Sequence, residues 1–133
     1  MIVFRGRYKG SPELSAGHLP LFRMKQQIAE HVSADISKSY LAEYTDEDER
    51  LSQMKSVAAG CGVDEAVCEF LCSDSQGTFS PDKCTRLLAA IDGMESHELY
   101  GGRGSEPGSQ MSIGGLKELL GTCAKRGVPL TWQ

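Results

Sequence analysis

Several absences narrow the 133-residue chain before anything present in it is considered. It has no run of the ~18 apolar residues that a membrane-crossing helix requires, and its first residues show no basic-then-apolar leader, so the expectation is a cytoplasmic protein with no membrane partner. No two of its five cysteines form a C-x-x-C pair, which removes the zinc-ribbon and dithiol redox signatures. The patterns G-x-x-x-x-G-K-[ST] and G-x-S-x-G are both missing, and with them the commonest routes to nucleotide binding and serine hydrolysis. Excess positive charge is missing too: 14 Lys and Arg face 18 Asp and Glu, a net charge of -4, so nucleic acid is not an expected partner.

What remains has the composition of one globular unit. With 40% hydrophobic and 24% charged residues in 14.4 kDa, the chain can bury a core without metal or crosslinks, and residues 1–133 are read as a single domain. Charge is spread unevenly along it. Residues 1–25 carry five basic side chains against Glu13 alone, residues 26–100 five basic against fifteen acidic, and residues 101–133 four basic against two acidic. If the two ends fold together, a mildly basic pole caps an acidic body.

The start, M-I-V-F-R-G-R-Y, is β-branched and aromatic until Gly10, Pro12 and Gly17 signal a loop, so a strand is predicted over residues 2–7. From Pro20, preset for a first helical turn, Leu21, Met24, Ile28, Val32 and Ile36 recur at spacings of 3 and 4 as one stripe of one helix. Residues 39–44 suit helix and irregular chain equally. Thr45 is a fitting cap for a helix over 46–59, with Asp46, Glu47 and Asp48 at its positive end and Gly60 just beyond its finish. A further helix is predicted over 64–72, with Val63, Val67, Phe70 and Leu71 inward. Another runs from Ser80 and Pro81 to Gly93, with Leu87, Leu88 and Ile91 inward.

A short helical turn is then expected over 94–100 and a loop, the most mobile internal segment, over 101–110. The last helix runs from residue 112 or 113 to Arg126 on Ile113, Leu116, Leu119, Leu120 and Cys123, and Gly127 ends it. Residues 128–132 read as a second strand that Pro129 restricts to an edge or a non-bonding position. The predicted fold is therefore mostly α (α+β): five or six helices and a small two-stranded sheet that pairs 2–7 with 128–132 and needs one face covered.

Residues 72–83, C-S-D-S-Q-G-T-F-S-P-D-K, place Gly77 and Phe79 where a calcium loop keeps its glycine and hydrophobe. The ligand positions then fall on Cys72, Asp74, Gln76, Thr78, Ser80 and Lys83, with a thiol and an ammonium where calcium needs carboxylates. The segment is read instead as a helix-loop-helix connection in which Gly77 makes the turn and Ser80 caps the next helix. Cys61, Cys68, Cys72, Cys84 and Cys123, odd in number, read as reduced and mostly buried thiols. His18, His31 and His97 have no thiol beside them in the sequence. No catalytic residue, metal ligand or cofactor is assigned on these grounds. Asp46, Glu47, Asp48 and Glu49 spread around a helix axis instead of converging; with Arg103 of the glycine-rich loop they form the candidate partner surface. Trp132 is read as the anchor of the C-terminal strand.

The run L-C-S-D-S-Q-G-T-F-S-P-D-K-C over residues 71–84, followed by Leu87 and Leu88 and by a last helix ending A-K-R-G-V-P-L-T-W, resembles the C-terminal half of a type of small uncharacterised bacterial protein with a similar S-D-x-x-G-x-h-S-P-x-x-C turn. The resemblance implies a compact, mostly helical bacterial domain and brings no activity with it. Short genes of that type are common on mobile genetic elements, where immunity, adaptor and regulatory functions abound.

The functional expectation is a non-enzymatic protein-interaction domain that binds a protein partner through its acidic helical face or the 101–110 loop. An apolar helix face would equally serve a homo-oligomer. The alternative is a small enzyme or ligand-binding protein whose site assembles from scattered residues, with Cys72, Cys84, His18 and His97 as parts. A pocket of a few hundred cubic ångström with titratable groups turned inward favours the second class, an exposed apolar patch the first.

Overall fold

The computed structural model describes residues 1–44 and 46–133. The chain runs β1 (Ile2–Gly6), β2 (Glu13–Ala16), α1 (His18–Val32), α2 (Ala34–Leu41), α3 (Glu47–Cys61), α4 (Glu65–Leu71), β3 (Gly77–Phe79), α5 (Pro81–Ile91), a 3-10 turn (Pro107–Ser109), α6 (Ile113–Arg126) and β4 (Leu130–Trp132). This is the mostly α, single-domain architecture that the patterns predict, and the two chain ends do meet: Phe4, Arg5 and Gly6 lie opposite Trp132, Thr131 and Leu130.

The sheet has four strands instead of two, all antiparallel, in the order β2-β1-β4-β3. Both additions are only three or four residues long, and both come from stretches that Gly, Pro and Ser mark as loop. They are strands because partners are in place: β1 supplies a ladder for β2, and β4 one for β3. The register sorts residues by face. Leu14, Phe4, Trp132 and Gly77 form a row toward the core, while Glu13, Arg5, Thr131 and Thr78 form a row toward solvent. Trp132 stacks on Phe4 at 5.3 Å and meets Phe70 and Phe79 edge-on at 5.5 and 5.3 Å, which anchors the last strand in the core.

The stripe read as one helix is divided between two. Ser33 is extended, with φ -172 and ψ 139; its N–H ends α1 on the Ala29 carbonyl and its hydroxyl caps α2 by accepting from the Asp35 N–H. Leu21, Met24 and Ile28 are buried from α1 and Ile36 from α2, so the apolar surface continues although the helix does not. Residues 39–41 complete α2. The cap assigned to Thr45 lies outside the described residues; Asp46 caps α3, accepting from the Asp48 N–H at 2.8 Å. Gly60 stays helical, and the left-handed residue that ends α3 is Gly62, at φ 73.

Asp64, Ser80 and Ser112 cap α4, α5 and α6, and Gly127 ends α6 at φ 67. Residues 94–100 form no helical turn; Lys117 donates to the Asp92 and Met94 carbonyls where α5 stops, which satisfies groups a further turn would otherwise have used. The glycine-rich loop is stitched down at both ends. Gly17 donates to the Tyr100 carbonyl and Met111 to that of Ser15, and the Ser15 hydroxyl meets Ser105 Oγ at 2.9 Å and the Ser109 carbonyl at 3.2 Å.

Helices α1 to α4 pack in succession, and α5 lies against α6, which covers the core face of β1 and β4. Lys25, on α1, faces inward into this arrangement.

Candidate functional site

Lys25 follows Leu21 by four residues and precedes Ile28 by three, so the helical period places it on the buried face of α1, where it is 3% exposed. Its Nζ donates to the Asp74 carbonyl at 3.0 Å and to Ser73 Oγ at 3.3 Å and lies 5.5 Å from the centre of the Phe70 ring. Buried charges are ordinarily paired. Lys25 has no carboxylate within ion-pairing distance among the described residues. The residue whose carbonyl it reaches is itself unusual: Asp74 holds φ 47, a left-handed conformation that residues other than glycine seldom adopt.

Arg50, on α3, is the second cation. Its guanidinium lies 4.9 Å from the centre of the Tyr40 ring and donates through Nη2 to the Tyr40 carbonyl at 3.2 Å, while Nε is buried with no hydrogen-bond partner among the described residues. Phe22 packs on the Tyr40 ring at 5.3 Å. These elements border an open pocket of about 250 Å³, lined by Lys25, Arg50, Tyr40, Asp74, His18 and Phe22 among others.

The electrostatics follow from burial. Desolvation pulls the Lys25 ammonium down to about 8, with Asp74 and Cys72 opposing and Arg50 adding to the fall. Burial pushes the Tyr40 hydroxyl up to about 12, against Arg50. Beside the pocket, the half-buried Cys72 thiol is raised chiefly by burial and sits 3.9 Å from the Met54 sulfur. A small, partly apolar cavity with two cations at its wall is suited to a small anion.

A scan against protein-family models, a search of curated proteins and a search of solved structures return no match for the chain. The chemistry of the pocket is therefore the guide to its use.

Of the four residues named for a scattered site, His18 lines this pocket and Cys72 adjoins it. Cys84 is buried with its thiol 3.9 Å from the Phe79 carbonyl, and His97 is exposed on the 94–100 segment. No group of three or more His, Cys, Asp or Glu converges on a metal-sized site among the described residues. All five thiols are free: Cys68, Cys84 and Cys123 are buried, with burial pushing the first two up to about 11, whereas Cys61 is exposed.

In the calcium-like segment, Lys83 pairs with Glu69 at 3.1 Å. The turn there is made by Asp74 and not by Gly77, which opens β3. Asp46 is the α3 cap, Glu47, Asp48 and Glu49 are exposed in its first turn, and Arg103 is exposed on a different element, the stitched loop.

Sequence reasoning passed over Lys25, Tyr40 and Arg50, and weighed Asp74 only as a position of the calcium-like loop. For Lys25 a signal existed, a lysine inside an apolar stripe at helical spacing. Tyr40, Arg50 and Asp74 carry none, because three separate elements bring them to α1.

Proposed function

We propose that the protein binds a small anionic ligand, a carboxylate or similar oxyanion, in the pocket between α1, α2, α3 and the connection from α4 to β3. The observation that carries this reading is the buried Lys25 ammonium, with no carboxylate at ion-pairing distance among the described residues, in a pocket it shares with Arg50. An anion there would complete the pairing that a desolvated cation otherwise lacks, and the Arg50 fork matches a carboxylate in shape.

Titration of labelled protein with propionate, followed by two-dimensional NMR, tests it. Saturable shifts confined to residues around 25, 40, 50 and 74, weakened in Arg50→Gln, are the expected result. Shifts that scatter over the surface, or none at millimolar propionate, would refute it.

A second reading, recognition of a protein partner, is favoured by one feature. Leu19 is 81% and Leu99 56% exposed, and both border a hollow with Pro20 and Arg23. An immunity, adaptor or regulatory role belongs to this reading, as does self-association. Sedimentation of the protein and of a Leu19→Ser, Leu99→Ser double variant separates them: a concentration-dependent dimer lost in the variant supports self-association, and a monomer in both excludes it. For either reading the cytoplasm of a bacterium is the proposed setting; no described helix is long and apolar enough to cross a membrane.

A further inference from the structure

We infer that Lys25 forms a reversible imine with a 2-oxo carboxylate, the carbonyl carbon bonding to Nζ while the carboxylate rests against Arg50. This rests on the anion-binding reading of the same pocket and specifies its ligand class.

Two cations of different chemistry line the one cavity. Arg50 presents a planar guanidinium fork, with its Nε buried and without a hydrogen-bond partner among the described residues. Lys25 is an amine on an aliphatic stem set against Phe70, and the groups that hold its Nζ are neutral oxygens, the Asp74 carbonyl and Ser73 Oγ. Burial, helped by Arg50, favours the uncharged form over the opposing pull of the Asp74 carboxylate, so the amine is available as a nucleophile. A ligand that offered only negative charge would use both cations alike. One that pairs a carboxylate with an adjacent carbonyl uses each for what it does best.

The reaction balances without an oxidant or reductant. The Nζ lone pair of the neutral amine forms the C–N bond as the carbonyl π pair moves to oxygen. A proton passes from nitrogen to that oxygen to give the carbinolamine. The C–O bond then breaks, and the oxygen leaves as water with the second amine proton. Amine and ketone become imine and water, and hydrolysis reverses the sequence.

The test is reductive trapping of the folded protein with pyruvate and sodium cyanoborohydride, read by intact mass and by peptide mapping. One saturable adduct per chain, mapped to Lys25 and absent in Lys25→Arg, is the expected result. Arg50→Gln should lower trapping at sub-saturating pyruvate by about tenfold and lower trapping of propanal, which has no carboxylate, far less, through the lost Arg50 charge that helps keep Lys25 neutral. Mapping in the unaltered protein makes the result independent of whether either variant folds. Labelling of the exposed Lys9, Lys38 and Lys125 as fast as Lys25 would overturn the inference. So would propionate binding in the pocket with no pyruvate adduct, an outcome that leaves the anion-binding reading intact, whereas failure of both ligands removes the two together.

Discussion

A Cβ at position 77 would lie 2.3 Å from Cζ2 of Trp132, directly opposite it in the sheet. Gly77 has no positive φ, so it is not there for backbone freedom. It is there because the indole fills the space that a side chain would need. Gly77→Ala should therefore destabilise the protein by about 1–3 kcal/mol, against the usual gain from removing a strand glycine. Urea unfolding followed by Trp132 fluorescence measures it, and a variant as stable as the parent would contradict the packing described.

Lys25→Met keeps the stem and removes the charge. An ammonium held at about 8 instead of 10.5 weakens the fold by up to about 3 kcal/mol below pH 8. That weakness is relieved between about 8 and 10.5, where the unfolded chain keeps the proton and the folded chain has lost it. The variant should equal or exceed the parent in stability at pH 7, and its advantage should shrink toward pH 10. The tyrosine shifts and those of Cys68, Cys84 and Cys123 are common to both proteins and cancel in the difference; the Cys72 thiol, whose rise the Lys25 charge opposes, adds a smaller contribution. Urea midpoints at several pH values decide; a difference that grows with pH would show that the ammonium is not destabilised.

Arg86 donates to both oxygens of Asp64, at 3.0 and 3.1 Å, and to Asp82 at 3.1 Å, which ties the cap of α4 to the first turn of α5. These hydrogen bonds hold the Asp64 carboxyl below its usual 3.8, so their stabilisation is present above that pH and fades as pH falls through the folded value. Arg86→Ala should be less stable than the parent at pH 7, with the gap closing below pH 4. Thermal melts at pH 7, 5 and 3 check this; a gap that persists at pH 3 would point to lost packing instead.

Thiol reagents offer a fourth test. Cys61 is exposed at the end of α3, Cys72 is half-buried, and the other three are enclosed. One thiol per chain should react at once in the native protein, a second slowly, and all five in denaturant. Three or more immediate reactions would mean that the core around Cys68, Cys84 and Cys123 is open.

Legibility in the sequence differed from element to element. α6 was readable to within a residue because its period, its serine cap and its terminal glycine act within a few residues of one another. The break at Ser33 was not, because an unbroken apolar stripe is consistent with one helix or with two that share a face. β2 and β3 were hidden for a different reason: their residues have little strand preference, and the ladder that makes them strands belongs to neighbours distant in sequence. In the pocket, the spacing of Lys25 announced burial, whereas Tyr40 and Arg50 looked like ordinary surface residues and Asp74 like a position of the calcium-like loop.

Local order along this chain suffices for helix type, most helix ends and the meeting of its two termini, since periodicity, capping and a shortage of strand partners operate over short spans or leave few choices. The extra strands, the space Trp132 takes from position 77 and the gathering of two cations round one cavity depend on which elements pack together. Those outcomes come from burial and register between distant segments, where the environment and not the residue type sets what a lysine or a glycine does.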